Sequence, residues 1–129
     1  MTIHLDTSFL IRALVPGSAE DGHLRHWLAS RQKIGISAVA WAEFLCGPLD
    51  DDARKAARVL LGAPVMIDEH TAELAAAMFN IGGRRRRTFV DCLVAAAAVR
   101  VDAQLATSNP TDFRSLESAG LQLVKVAST

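Results

Sequence analysis

The chain contains no tyrosine at all, and its only aromatics are five phenylalanines and two tryptophans. A long base-stacking platform for single-stranded nucleic acid is therefore excluded. Two cysteines, Cys46 and Cys92, are too few for a disulfide framework and lack the short spacing of a zinc pair. They read as helix packing residues in a reducing environment. Excess charge is also missing: 14 Lys plus Arg face 14 Asp plus Glu, a net of zero. Bulk positive charge as the means of binding nucleic acid is thereby excluded, although a local basic patch is not. The longest wholly apolar runs, such as Leu93 to Val99, fall far short of the ~20 residues of a membrane helix. The amino terminus lacks a basic n-region, and Asp6 interrupts its apolar start, so a cytoplasmic protein is expected. Neither a P-loop lysine motif nor GxGxxG occurs, which leaves nucleotide cofactors unsupported.

What is present suits one folded domain over 1–129. Half of the 129 residues are hydrophobic and 22% are charged. Short apolar runs alternate with helical patterns. Strands are expected at 3–5, 33–37, 64–67, 104–107 and 121–126. Helices are expected at 8–15, 19–30, 38–46, 50–61, 69–80 and 88–101, with a helical turn at 110–118. Leu24, Trp27 and Leu28 would face inward from the second helix. Ala53, Ala56, Ala57, Leu60 and Leu61 would do so from the fourth. This alternation predicts an α/β fold with a short parallel sheet of four to five strands flanked by helices. In such sheets ligands bind outside the carboxyl ends of the strands.

Four acids fall near that edge. Asp6 follows the first strand, with Thr7 and Ser8 behind it, and it also suits a helix N-cap. Glu43 lies in a helix otherwise apolar on every side, where a carboxylate is costly to bury without a partner, and a narrow exposed strip on that helix is the equal alternative. Asp91 stands in the first turn of the strongest helix, where Thr88 and Asp91 resemble a capping box. Asn109, Pro110 and Asp112 would equally make an ordinary helix start. Carboxylates converging on one cleft repel each other unless cations intervene. Such oxygen donors suit Mg²⁺ or Mn²⁺, and ions of this kind assist phosphodiester cleavage.

Arg84, Arg85, Arg86 and Arg87 follow Gly82 and Gly83. From Gly82 to Arg100 five arginines face a single acid, Asp91. Arginine suits bidentate phosphate contacts, so the run is a candidate nucleic-acid backbone site, with a solvated loop as the plainer explanation. His4, His23, His26 and His70 form neither a metal-ligand spacing nor a triad, and they read as structural or surface residues.

Taken together, the motifs carry a resemblance. Ile3-His4-Leu5-Asp6-Thr7-Ser8 resembles the opening of PIN-domain ribonucleases. Ser37 to Glu43 is similar to their S-x-x-x-x-x-E segment. The helix from Asp91 through Val94 to Ala98 is similar to their D-x-x-V-A-A helix. Leu105 to Phe113 resembles their L-x-T-x-N-x-x-D-F ending. The four occur in the family's order and bracket most of the chain, and the length resembles VapC-type toxins of bacterial toxin–antitoxin pairs.

The resemblance implies a Mg²⁺- or Mn²⁺-dependent endoribonuclease that cleaves RNA with a metal-activated water, leaving 5′-phosphate and 3′-hydroxyl ends. It implies Asp6, Glu43 and Asp91 as core acids, with metal contact from Asp6 and Asp91. Glu43 would orient a water or help hold an ion. Asn109 falls where many members place Asp, so either Asn109 or Asp112 would supply the fourth position. Thr107 would hydrogen-bond a core carboxylate. A homodimer and a small VapB-like antitoxin are further implications. A PIN-like RNA- or partner-binding protein without cleavage activity is the alternative. A haloacid-dehalogenase-type phosphatase would want a second Asp at the place of Ser8.

Overall fold

The structure is a computed structural model that describes residues 1–125. Among them, three strands form one parallel sheet: β1 (Thr2–Leu5), β2 (Lys33–Gly35) and β3 (Ala103–Ala106), in the order β2-β1-β3. Ile3 pairs with Ile34 on one side and with Gln104 on the other. Ile3, His4 and Leu5 are all buried. Successive strand residues point to opposite faces, so three buried in a row require both faces of β1 to be covered.

The helices are α1 (Thr7–Ala13), α2 (Ala19–Ala29), α3 (Ala38–Leu45), α4 (Asp51–Leu61), α5 (Glu69–Ile81) and α6 (Phe89–Arg100). Single 3₁₀ segments lie at Arg86–Thr88, Pro110–Asp112 and Arg114–Ala119. Ser18, Ser37, Asp50 and Asp68 cap α2, α3, α4 and α5, each accepting a backbone N–H of the first turn. The alanine run of α6, Ala95 to Ala98, is fully buried. Its small side chains let α6 lie close to β3, α3 and α5.

Several expectations are corrected. The sheet has three strands among the described residues, not four to five. The segments at 64–67 and 121–126 each reduce to one bridge, Ser37 with Val65 and Leu105 with Leu123. Val65 exchanges bonds with Ile36 and Ala38 at 2.8 Å each. Pro64 before it has no N–H to donate, and Met66 after it is 79% exposed, so pairing ends at once. Val126 lies outside the described residues. Leu28 and Ala56 turn outward, while Leu24, Trp27, Ala57 and Leu61 are buried. Cys92 packs in the core as expected, but Cys46 is exposed at the end of α3.

The chain runs from β1 to β2 on one side, while β3 lies on the other. The carboxyl end of β1 is therefore the switch point of the sheet, where the two crossovers leave a crevice. Asp6 is the first residue beyond it.

Candidate functional site: an acidic cleft and its mixed-charge neighbour

Asp6 does cap α1, accepting the Phe9 N–H at 3.0 Å through Oδ1. Its carboxylate is held by more than the cap. The Ser8 hydroxyl donates to the same oxygen at 2.7 Å, and the Thr107 hydroxyl donates to Oδ2 at 2.6 Å. A carboxylate offers about four acceptor positions. Three are taken, so Asp6 keeps one free position, on Oδ2. Thr107 itself accepts the Asn109 N–H at 3.0 Å, which fixes the loop after β3 against Asp6.

Glu43 is exposed, on the side of α3 that faces the crevice mouth. The Thr7 hydroxyl lies 3.2 Å from its Oε1 and 3.0 Å from the Ala40 carbonyl, and it shares its proton between them. Asp91 is half-buried at the start of α6. No capping box forms there, because the Thr88 hydroxyl donates to the Arg85 carbonyl at 2.6 Å. Asn109 likewise leaves its turn without a side-chain cap, although Pro110 takes the first helical position as expected.

Asp6, Thr7, Ser8, Glu43, Asp91, Asn109 and Asp112 line one cavity of about 310 Å³ at the carboxyl edge of the sheet, with Ile11 and Phe113 as its apolar wall. Thus the acids dispersed through the sequence meet in one place. Burial, followed by the charges of Asp112, Asp6 and Glu43, pushes the Asp91 carboxyl up to about 6. Asp112 is the strongest of those three charges. Among the described residues none of the four acids forms a salt bridge.

Apart from Ile11 and Phe113, the lining side chains all carry oxygen, and among the described residues no salt bridge offsets the repulsion of the four acids. Such a set fits a hard divalent cation. Among the described residues, no three His, Cys, Asp or Glu side chains stand close enough to enclose an ion by themselves.

The arginine run is divided by the fold. Arg85 and Arg87 line a second cavity of about 520 Å³, whereas Arg84 and Arg86 do not. Asp91 and Asp112 belong to the walls of both cavities. His4 is buried on β1 and kept neutral, its pKa lowered to about 4 by burial. His23 stacks on Trp27. Both are structural.

Sequence reasoning did not anticipate a link between α2 and the site. The Ser108 hydroxyl donates to Glu20 at 2.9 Å, and the Ser108 N–H donates to the Ser8 hydroxyl at 3.3 Å. Glu20 reads locally as an ordinary first-turn acid of α2, and no motif marks it.

The sheet and cleft define an α/β protein with an acidic crevice at its switch point. Residues 3–118 match the model of the PIN domain, and the chain belongs to the PIN domain family. No curated protein sequence matches it. Among solved structures it is similar to a toxin–antitoxin complex from Klebsiella pneumoniae, at TM-score 0.74 and 20% identity, covering 98% of this chain and 99% of that one. VapBC-1 from nontypeable Haemophilus influenzae is similar at TM-score 0.73 and 17% identity, covering 99% and 100%. Mycobacterium tuberculosis VapC20, described as a Sarcin-Ricin loop cleaving toxin, is similar at TM-score 0.63 and 21% identity, covering 95% and 98%.

Proposed function

We propose that the protein is a divalent-metal-dependent endoribonuclease and the toxin of a toxin–antitoxin pair. The observation that carries this reading is the convergence of Asp6, Glu43, Asp91 and Asp112 on one cleft, where among the described residues none of them forms a salt bridge. Membership of the PIN family and likeness to toxin–antitoxin structures support it.

Bound in this cleft, Mg²⁺ or Mn²⁺ would supply Lewis acidity toward a phosphodiester and lower the pKa of water. Asp6 and Asp91 would hold the ion. Asp6 offers the single acceptor position on Oδ2 that Ser8, Phe9 and Thr107 leave free. Asp112 is the better fourth acid, because its charge acts directly on Asp91, and Asn109 adds a neutral oxygen beside it. Glu43, at the mouth and held by Thr7, would orient the attacking water and accept its proton. Arg85 and Arg87 would receive the RNA backbone, with Arg84 and Arg86 adding a diffuse attraction. A cytoplasmic protein acting with a small VapB-like antitoxin, and as a homodimer, completes the proposal. Among the described residues no helix is long and apolar enough to cross a membrane. The intact set of acids favours cleavage over a PIN-like protein that only binds RNA.

Asp6→Asn tests the assignment. It retains an oxygen for the cap, so the fold should survive while RNA cleavage and growth inhibition are lost. Purified Asp6→Asn protein cutting RNA at the parent's rate would show that the site is wrong. Parent protein that leaves structured RNAs intact in Mn²⁺ would favour the binding-only alternative.

A further inference from the structure

The second cavity has a feature that a merely solvated charge run would lack. Arg85 and Arg87 share its walls with Asp91 and Asp112, yet among the described residues neither arginine pairs with either acid. The backbone that carries the two arginines is itself anchored. The Thr88 hydroxyl ties the Arg85 carbonyl into the 3₁₀ turn, and the Arg84 N–H bonds back to Phe79 at 3.0 Å. The cavity, about 520 Å³, lies in the range of small-molecule sites. It ends on buried Cys92 and Leu116 and carries the hydroxyls of Thr88, Thr111 and Ser115.

From this geometry we infer that the cavity is a nucleotide subsite. It takes the nucleotide unit next to the phosphodiester held at the acids, with Arg85 and Arg87 on that unit's own phosphate. The inference rests on the ribonuclease reading above and adds to it a defined position for one neighbouring nucleotide. Two observations support it. The cavities share Asp91 and Asp112 as a common wall, so a strand seated at the acids passes directly into the second space. The lining also matches the unit's chemistry. Guanidinium groups suit the phosphate, hydroxyls suit sugar and base edges, and a small apolar floor suits a base face. Among the described residues no aromatic lines the cavity, so binding should depend on charge more than on stacking and vary strongly with salt.

The test measures binding of a fluorescent single-stranded RNA to the full chain in EDTA, where cleavage is absent, across a salt series. Arg85→Ala with Arg87→Ala should weaken binding tenfold or more and flatten the salt slope by about 0.7 for each phosphate no longer neutralised. Arg84→Ala with Arg86→Ala should weaken it about twofold. Ser115 is exposed at the rim, so Ser115→Phe fills the space without changing charge. It should weaken binding about fivefold with the salt slope unaltered. Equal losses from the two arginine pairs, or full affinity in Ser115→Phe, would overturn the subsite while leaving the ribonuclease reading intact. A parent chain that neither binds nor cuts RNA would overturn both.

Discussion

Asp91 gives a prediction in which stability and activity move in opposite directions. Its carboxyl is raised from 3.8 to about 6, first by burial and then by the charges of Asp112, Asp6 and Glu43. At neutral pH without metal, the folded protein therefore carries an ionised group that the unfolded chain carries more easily. The shift corresponds to about 3 kcal/mol at ~1.36 kcal/mol per unit. Asp91 is only partly buried, and solvent screening reduces this to about 1.5 kcal/mol. Asp91→Asn removes that penalty while losing about 0.5 kcal/mol of favourable interaction with the α6 dipole. The variant should be more stable by about 1 kcal/mol, or about 4 °C in Tm, and inactive.

The pH dependence follows from the direction of the shift. A carboxyl raised on folding destabilises the fold above its folded pKa, near 6, and ceases to do so below its unfolded value, near 4. The advantage of Asp91→Asn should thus be full at pH 7.5 and absent near pH 4. Buried His4 acts in the opposite sense. Its pKa is lowered from 6.5 to about 4, so stability is lost as the pH falls from 6.5 and the unfolded chain takes up the proton. In the parent the two trends oppose each other between pH 6 and 4. In Asp91→Asn the opposing trend is gone, and stability should fall more steeply on acidification. Urea denaturation in EDTA at pH 7.5, 6 and 4.5 measures all of this. A variant no more stable than the parent at pH 7.5 would refute the crowded-carboxylate account.

Three further outcomes can be measured. Mg²⁺ at ten times its Kd should stabilise the parent by about 1.4 kcal/mol and Asp91→Asn by less, reversing their order by differential scanning calorimetry. Thr107→Val removes the buried hydroxyl between Asp6 and Asn109. It should cost about 2 kcal/mol in urea titration and weaken Mn²⁺ binding, read by the paramagnetic signal of the free ion. Gly35 faces the His4 ring across the β1–β2 pair, and a Cβ there would meet ring atoms at 3.2 and 3.3 Å. Gly35→Ala should therefore destabilise by about 1–3 kcal/mol, measured by urea titration, because a buried ring on a central strand has little room to move.

The pattern of the chain makes much of this protein legible. Alternating apolar runs and helical patterns indicate a parallel α/β sheet, and the order of the four motifs points to the PIN family now found over residues 3–118. Local patterning says less about the sheet's edges. Val65 and Leu123 sit in strand-like runs, but whether such a run becomes a ladder depends on how long two backbones stay side by side. Glu43 shows the same limit from the other side. An apolar helix leaves burial and an exposed strip equally open for it, and only packing turns this one position of α3 toward the cleft.

Helix caps, apolar periodicity, the buried alanine face of α6 and the chemistry available at each acid are written in the chain itself, because they depend on neighbours within a few residues. Folding alone settles which groups meet. The three donors on Asp6 come from positions up to 101 residues away, and the neighbours that raise Asp91 are spread from residue 6 to 112. The arginine run is uniform as a sequence, but a 3₁₀ turn divides it into Arg85 and Arg87 beside the cavity and Arg84 and Arg86 outside it. A zero net charge is thereby resolved into an acidic cleft and a second cavity where two arginines face two of the same acids. Charge acts through distance, and distances between residues remote in sequence are set only when the chain folds.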